Sequence, residues 1–170
     1  MKIFSHFKMI KNRKSLIMIG LVLFFNTQFL LSQKSVSYFQ TECVSIENDG
    51  YTTIKIWDTK KGTHYKIDEA RKDAIRSFLF SGVSSNSTCS SQSPILNNTE
   101  EQDKFTEIEK SFFSKNGKWS MFTRSSATET TLPKNLGVNN WKVYQISISK
   151  NELRKFLEEQ KIIKSLNTGF

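Results

Sequence analysis

The stretch SVSYFQTECVSIENDGYTTIKIW, residues 35–57, decides the fold class. Its first half, Ser35 to Ile46, is rich in β-branched and aromatic residues, and its second alternates Thr52, Ile54 and Ile56 with Thr53, Lys55 and Trp57. Between them stands Asp49-Gly50, a pair suited to the positive φ of a tight turn. Two runs of strand period around Asp-Gly predict an antiparallel hairpin.

C-terminal to the hairpin, Lys60, Lys61 and Gly62 mark an exposed turn, after which the period changes. Ile67, Ala70, Ala74 and Phe78 share one helical face, with Ile75 and Leu79 beside it, which predicts a helix capped by Asp68, running to about Ser81 and stopped by Gly82. The two alanines permit close approach to a sheet, so this stripe reads as core. Residues 83–99, dominated by Ser, Asn and Thr around Cys89 and Pro94, read as a long surface loop.

Phe105, Ile108 and Phe112 predict a second helix over Glu100 to Ser114, and Lys118 to Thr123 reads as a short strand holding Trp119 and Phe122. A polar segment with Pro133 reads as a loop. Trp141, Val143, Tyr144, Ile146 and Ile148 then form a strand, and Ser149-Lys150-Asn151-Glu152 fits a capping box opening a helix with Leu153, Phe156 and Leu157. Together these elements predict an α+β fold: an antiparallel sheet of about four strands with two to three helices packed mainly on one face.

N-terminal to the hairpin the chain has another character. Lys2, Lys8, Lys11, Arg13 and Lys14 precede the apolar run Leu16 to Leu31, and no acid occurs before Glu42. That is the arrangement of a signal peptide, and the run is short and interrupted for a permanent span. Residues 1–32 are therefore expected to be removed between Ser32 and Gln33, leaving no permanent membrane span and a single α+β domain over residues 33–170. Removal takes five of the 25 Lys and Arg and none of the 16 acids, so the formal charge falls from +9 to +4. An even pair of cysteines in an exported chain, Cys43 and Cys89, points to a disulfide, and to a periplasmic or fully secreted location.

The inventory for chemistry is thin. His64 is the one histidine left after processing, sits in a polar turn, and reads as an ordinary surface residue; with two cysteines it makes no standard zinc site. The serines at 84–93 lack a nucleophile-elbow setting, and Glu100, Glu101, Glu107 and Glu109 read as the solvated face of a helix. Glycines fall singly at turns, which disfavours a phosphate cradle, and Lys55, Lys60, Lys61 and Lys66 form too modest a cluster for nucleic acid. Asn86-Ser87-Thr88 matches a glycosylation sequon of low specificity. No catalytic, cofactor-binding or metal residue is expected, and no cofactor.

The run Gly50-x-x-Thr53-Ile54-Lys55-Ile56-Trp57, then Glu69-Ala70-x-x-x-Ala74, Phe80-x-Gly82-Val83, Cys89 and Pro94, and the ending Leu153-Arg154-Lys155-x-Leu157-Glu158 to Gly169-Phe170, resembles a family of small uncharacterised exported proteins of Bacteroidota. The Glu-Ala-x-x-x-Ala helix is also similar to helices of envelope-assembly domains in secretion-channel accessory lipoproteins and flagellar assembly factors. That resemblance implies envelope assembly or secretion, although the lipid-anchor cysteine of those proteins is missing here, and it implies no site residues.

The expected function is thus a non-enzymatic periplasmic or secreted binding or assembly module whose partner is an envelope protein or polymer. The alternatives are a small envelope hydrolase with a site assembled from residues distant in sequence, and a subunit that self-associates through a sheet edge or the tail Ile162 to Phe170. The expected place of that tail is on its own domain.

Overall fold

The computed structural model describes residues 38–87, 89–131 and 141–165, with 126–131 as backbone only. The expected signal peptide, its cleavage point at Ser32 and Gln33, residues 132–140 and the last five residues lie outside the described residues; the start of the polar segment with Pro133, expected as a loop, is strand as far as Thr131.

The predicted hairpin is present: β1, Phe39–Ile46, pairs antiparallel with β2, Tyr51–Asp58, across a turn in which Gly50 takes φ 84°. Helix α1, Ile67–Arg76, follows and continues as a π-helical turn over Ser77–Ser81, closed by the Gly82 N–H on the Ser77 carbonyl at 2.7 Å. Helix α2 spans Thr99–Phe112, β3 spans Thr123–Thr131, β4 spans Lys142–Ser149, and α3 covers Lys150–Glu159. The four strands form one antiparallel sheet in the order β1-β2-β4-β3. The fold is α+β, as the pattern predicts.

Ile54 and Ile56 of β2 and Tyr144, Ile146 and Ile148 of β4 lie on one face of the sheet and are buried. Onto that face α1 presents Ala70, Ala74, Ile75 and, through its π turn, Phe78 and Leu79, each fully buried. The alanines do what their spacing predicts: with only a methyl at the contact, the helix lies close on the strands and a single apolar layer fills the gap.

The aromatic surplus is spent beneath the helices. Phe80, Phe105, Phe112, Phe113, Phe122 and Phe156 form a chain of ring contacts with centroids 4.9–6.2 Å apart, mostly edge to face, the arrangement the ring quadrupole favours.

Local expectations also fail at four other places. Lys118–Phe122 is a 3-10 helix rather than a strand, because its three-residue period puts Trp119 and Phe122 together on the buried side, and strand β3 begins only at Thr123. The cap of α1 is Lys66, not Asp68: extended Lys66 donates its N–H to the Glu69 carboxylate at 3.2 Å, while Asp68 lies in the first turn, 3.6 Å from Arg71. Ser149 opens α3 without a side-chain cap bond.

The segment 83–99 is only half a surface loop. Its end enters the core, with Ile95 and Leu96 buried and their N–H groups on the Phe78 and Leu79 carbonyls at 2.8 and 2.9 Å. Those are carbonyls that the π turn leaves without a helical partner, so the loop satisfies the helix end. Of the tail, Ile162 and Ile163 are buried on the domain.

Candidate functional site

Four places on the described domain bring chemistry-bearing groups together, and the first lies along the edge of β1. Strand β1 closes the sheet on one side, so alternate residues turn their backbone groups away from β2. The outward set includes Cys43, whose N–H donates to the Ser84 carbonyl at 3.0 Å; Ser84 pairs with Glu42 as a one-residue parallel bridge. Asn86 donates its side-chain amide to Glu42 at 3.2 Å, and the Cys43–Cys89 disulfide, with Cα atoms 5.6 Å apart, fastens the same loop to the same strand. The two expected site cysteines are therefore joined, and they complete a clamp on the edge at Glu42 and Cys43.

The loop is braced from behind. Val83 and Gln92 exchange backbone bonds at 2.8 and 2.9 Å, and Lys150 donates to the Gln92 side chain at 3.0 Å. Partial burial pushes the Lys150 ammonium below its ordinary range, with Arg154 adding to the effect. Gly82, at φ 77° and ψ −177°, makes the turn from helix to loop, and a Cβ there would stand 2.5 Å from the Gln92 carbonyl oxygen. Only glycine fits both the backbone angle and the space.

Among the described residues, nothing clamps the edge in the same way before Glu42. Beside it opens a cleft of about 310 Å³ lined by Phe39, Gln40, Thr41, Trp57, Ser77, Ser81, Gly82 and Ser84. Its floor is the π turn, its wall the open edge. It offers hydroxyls, an amide and two aromatic surfaces, and none of its lining side chains titrates near neutral pH.

The second place is a hydrogen-bonded chain under α1. The Tyr65 hydroxyl donates to Asp73 at 3.2 Å, Arg76 holds the other Asp73 oxygen at 2.9 Å, and the Tyr144 hydroxyl donates to the Tyr65 carbonyl at 2.9 Å. Burial raises the Asp73 carboxyl above its usual range even against Arg76, and burial with Asp73 alongside keeps the Tyr65 phenol protonated. Every partner is satisfied from within, the signature of a structural network.

The third lies on the opposite sheet face near the hairpin turn. Glu47 accepts from Thr53, the Thr53 and Ser147 hydroxyls are 2.6 Å apart, and Ser147 reaches the same Glu47 oxygen at 3.4 Å. Beside them Arg124 pairs with Asp49 at 3.2 Å and lies over the Tyr51 ring at 3.7 Å. Two hydroxyls on a carboxylate make a nucleophile candidate without an imidazole to take its proton. The fourth is a cleft of about 440 Å³ where the start of α2 meets the end of α3, lined by charges of both signs including Glu100, Lys104, Glu158 and Lys161. Glu100, held below its ordinary range by Lys104 at 2.6 Å, belongs to this surface.

His64 is exposed in a 3-10 turn, Gly62–His64, next to the Thr63 hydroxyl. The lysine cluster is dispersed among partners, with Lys61 3.4 Å from Glu69 and Lys60 over the Tyr38 ring. Trp119 is buried, donating to the Ser114 carbonyl at 2.7 Å; Trp57 and Trp141 are half-buried. Among the described residues no three of His, Cys, Asp and Glu converge as metal ligands, and no helix is long and apolar enough to cross a membrane.

The edge residues Phe39, Gln40, Thr41 and Gly82 were not legible as a site from the sequence, since which strand ends the sheet depends on strand order. The available signal was Gly82 beside a helix stop, read as termination alone. Comparison with protein-family models, with curated proteins and with solved structures finds no match.

Proposed function

We propose that the protein is an exported, non-enzymatic binding or assembly module of the cell envelope, periplasmic or secreted after removal of residues 1–32, and akin to the small exported proteins of Bacteroidota that it resembles. The observation that carries this reading is the β1 cleft, where an open strand edge, two aromatic side chains and uncharged polar groups line one concavity without a titratable side chain. Such a surface recognises and does not transfer protons. The disulfide agrees with an oxidising compartment.

The test is mild crosslinking of the processed protein in its own envelope, with mass spectrometry of bait and captured material. The expected result is bait beginning at Gln33 with both cysteines oxidised, and one defined envelope protein or polymer bound. Bait that retains residues 1–32, or that captures nothing above a scrambled control, overturns the reading.

A small envelope hydrolase has one observation in its favour, the contact among Glu47, Thr53 and Ser147, which come from positions up to 100 apart in sequence. Ser147→Ala separates the two readings: it abolishes ester or glycoside turnover if Ser147 attacks substrate and leaves partner capture unchanged if it does not.

A further inference from the structure

Among the described residues, the edge of β1 has a vacant pairing position between the Phe39 carbonyl and the Thr41 N–H, and its geometry defines what fits there. Cys43 turns its N–H outward to Ser84, so by strand alternation Thr41 and Phe39 also turn outward, while Gln40 and Glu42 face Trp57 and Lys55 of β2. In its parallel pairing with Glu42, Ser84 stands between the Thr41 carbonyl and the Cys43 N–H. Two residues upstream the pattern repeats: the Phe39 carbonyl and the Thr41 N–H flank Gln40.

If the chain ran straight, Gly82 would occupy that position. Instead its N–H is committed to Ser77 and its backbone turns away at φ 77°. Among the described residues no backbone group takes its place, and the 310 Å³ cleft opens there.

We propose that this position receives one residue of an extended peptide segment from another protein, added parallel to β1, with uncharged side chains on its two neighbours. The inference rests on the binding-module reading and names the class of partner. A peptide is required because the vacancy presents an acceptor and a donor on alternate residues of a strand, and one peptide residue answers both with its own N–H and C=O. Parallel addition continues the register of the Ser84–Glu42 bridge and answers the Phe39 carbonyl and the Thr41 N–H with one residue; an antiparallel residue opposite Thr41 meets a carbonyl that the Ser84 bridge engages, and one opposite Phe39 leaves the Thr41 N–H to a second residue.

The residues before and after the paired one project to the α1 side, against Ser77, Ser81 and Phe39, where no charge is available to compensate another. The segment turns outward or ends one residue later, because Ser84 stands in line.

The experiment selects linear eight-residue peptides from a random display library on the oxidised protein, then titrates the most enriched peptide into isotope-labelled protein. The expected result is an uncharged consensus, slowed hydrogen exchange at the Thr41 amide, and no change at the Cys43 amide, which is already bonded. N-methylation of the paired residue removes one backbone bond and weakens binding about tenfold. Ser81→Arg, at an exposed cleft position, weakens it at least about as much with an unchanged circular dichroism melt.

No enrichment, enrichment indifferent to Ser81→Arg, or binding that leaves the Thr41 amide untouched overturns the proposal. Protection of Thr41 that grows with protein concentration alone identifies a second copy as occupant and also overturns it. A captured envelope partner whose crosslinks map away from β1 leaves the binding-module reading standing while this one fails.

Discussion

The two halves of the β1 edge face the same solvent and end differently. Glu42 and Cys43 are held by a bridge, a side-chain hydrogen bond and a disulfide to a loop, whereas residues 39–41 end on a cleft. The boundary is set by Gly82 on the facing chain, more than by anything in β1 itself. A strand edge is a liability when bare and a recognition element when bare over a limited length, and here the clamp fixes that length.

Removing the clamp is the most severe way to break the contrast. Cys43→Ala with Cys89→Ala releases a closure over 46 positions, for which a loss of roughly 4 kcal/mol is expected from chain entropy. Urea midpoints of the oxidised and substituted proteins check it, and the Cys43 amide is expected to exchange nearly as fast as Thr41 in the variant. Gly82→Ala attacks the boundary: positive φ and a Cβ against the Gln92 carbonyl are expected to destabilise by about 2–3 kcal/mol and to loosen the Val83–Gln92 bridge. An unchanged midpoint would show that the turn relaxes freely and does not define the vacancy.

The Asp73 network under α1 serves as a control remote from the edge. Its native carboxyl holds a proton at pH values where the unfolded one has lost it, so stability falls as pH rises from the ordinary aspartate range through the raised native value. The slope attributable to Asp73 is at most about 1.4 kcal/mol per pH unit, and Asp73→Asn is expected to remove it without altering amide exchange at Thr41 or Cys43. Denaturant titrations at several pH values between 4 and 7 measure the slope. The smallest effect is expected from Asn86→Ala, which removes the amide on Glu42 and costs about 1 kcal/mol, read as faster exchange confined to the clamped half.

Fold class was legible because it follows from period. Tyr51 to Trp57, the stripe from Ile67 to Phe78 and the run from Trp141 to Ile148 each bury one face, and burial writes itself into the spacing of apolar residues. The pairing of Cys43 with Cys89 followed from there being only two cysteines. What failed was short or long-range. Lys118–Phe122 offers two aromatics three apart, which a strand and a 3-10 turn both bury, and Ile95-Leu96 is too brief an apolar pair to stand out within a serine-rich stretch. The cleft was illegible for a different reason: Phe39 to Thr41 gain their meaning from being at the edge, and from a chain 40 residues later that turns away.

Strand β4 lies between β2 and β3, so the hairpin of residues 39–58 has no neighbour on its inner side until Lys142–Ser149 arrives. Thr53 and Ser147, which touch, are separated by 94 positions. The sheet therefore depends on its most distant pairings: without residues 142–149 the hairpin and β3 share no strand. A chain cut short of residue 142 therefore lacks the strand that joins the two sides of the sheet.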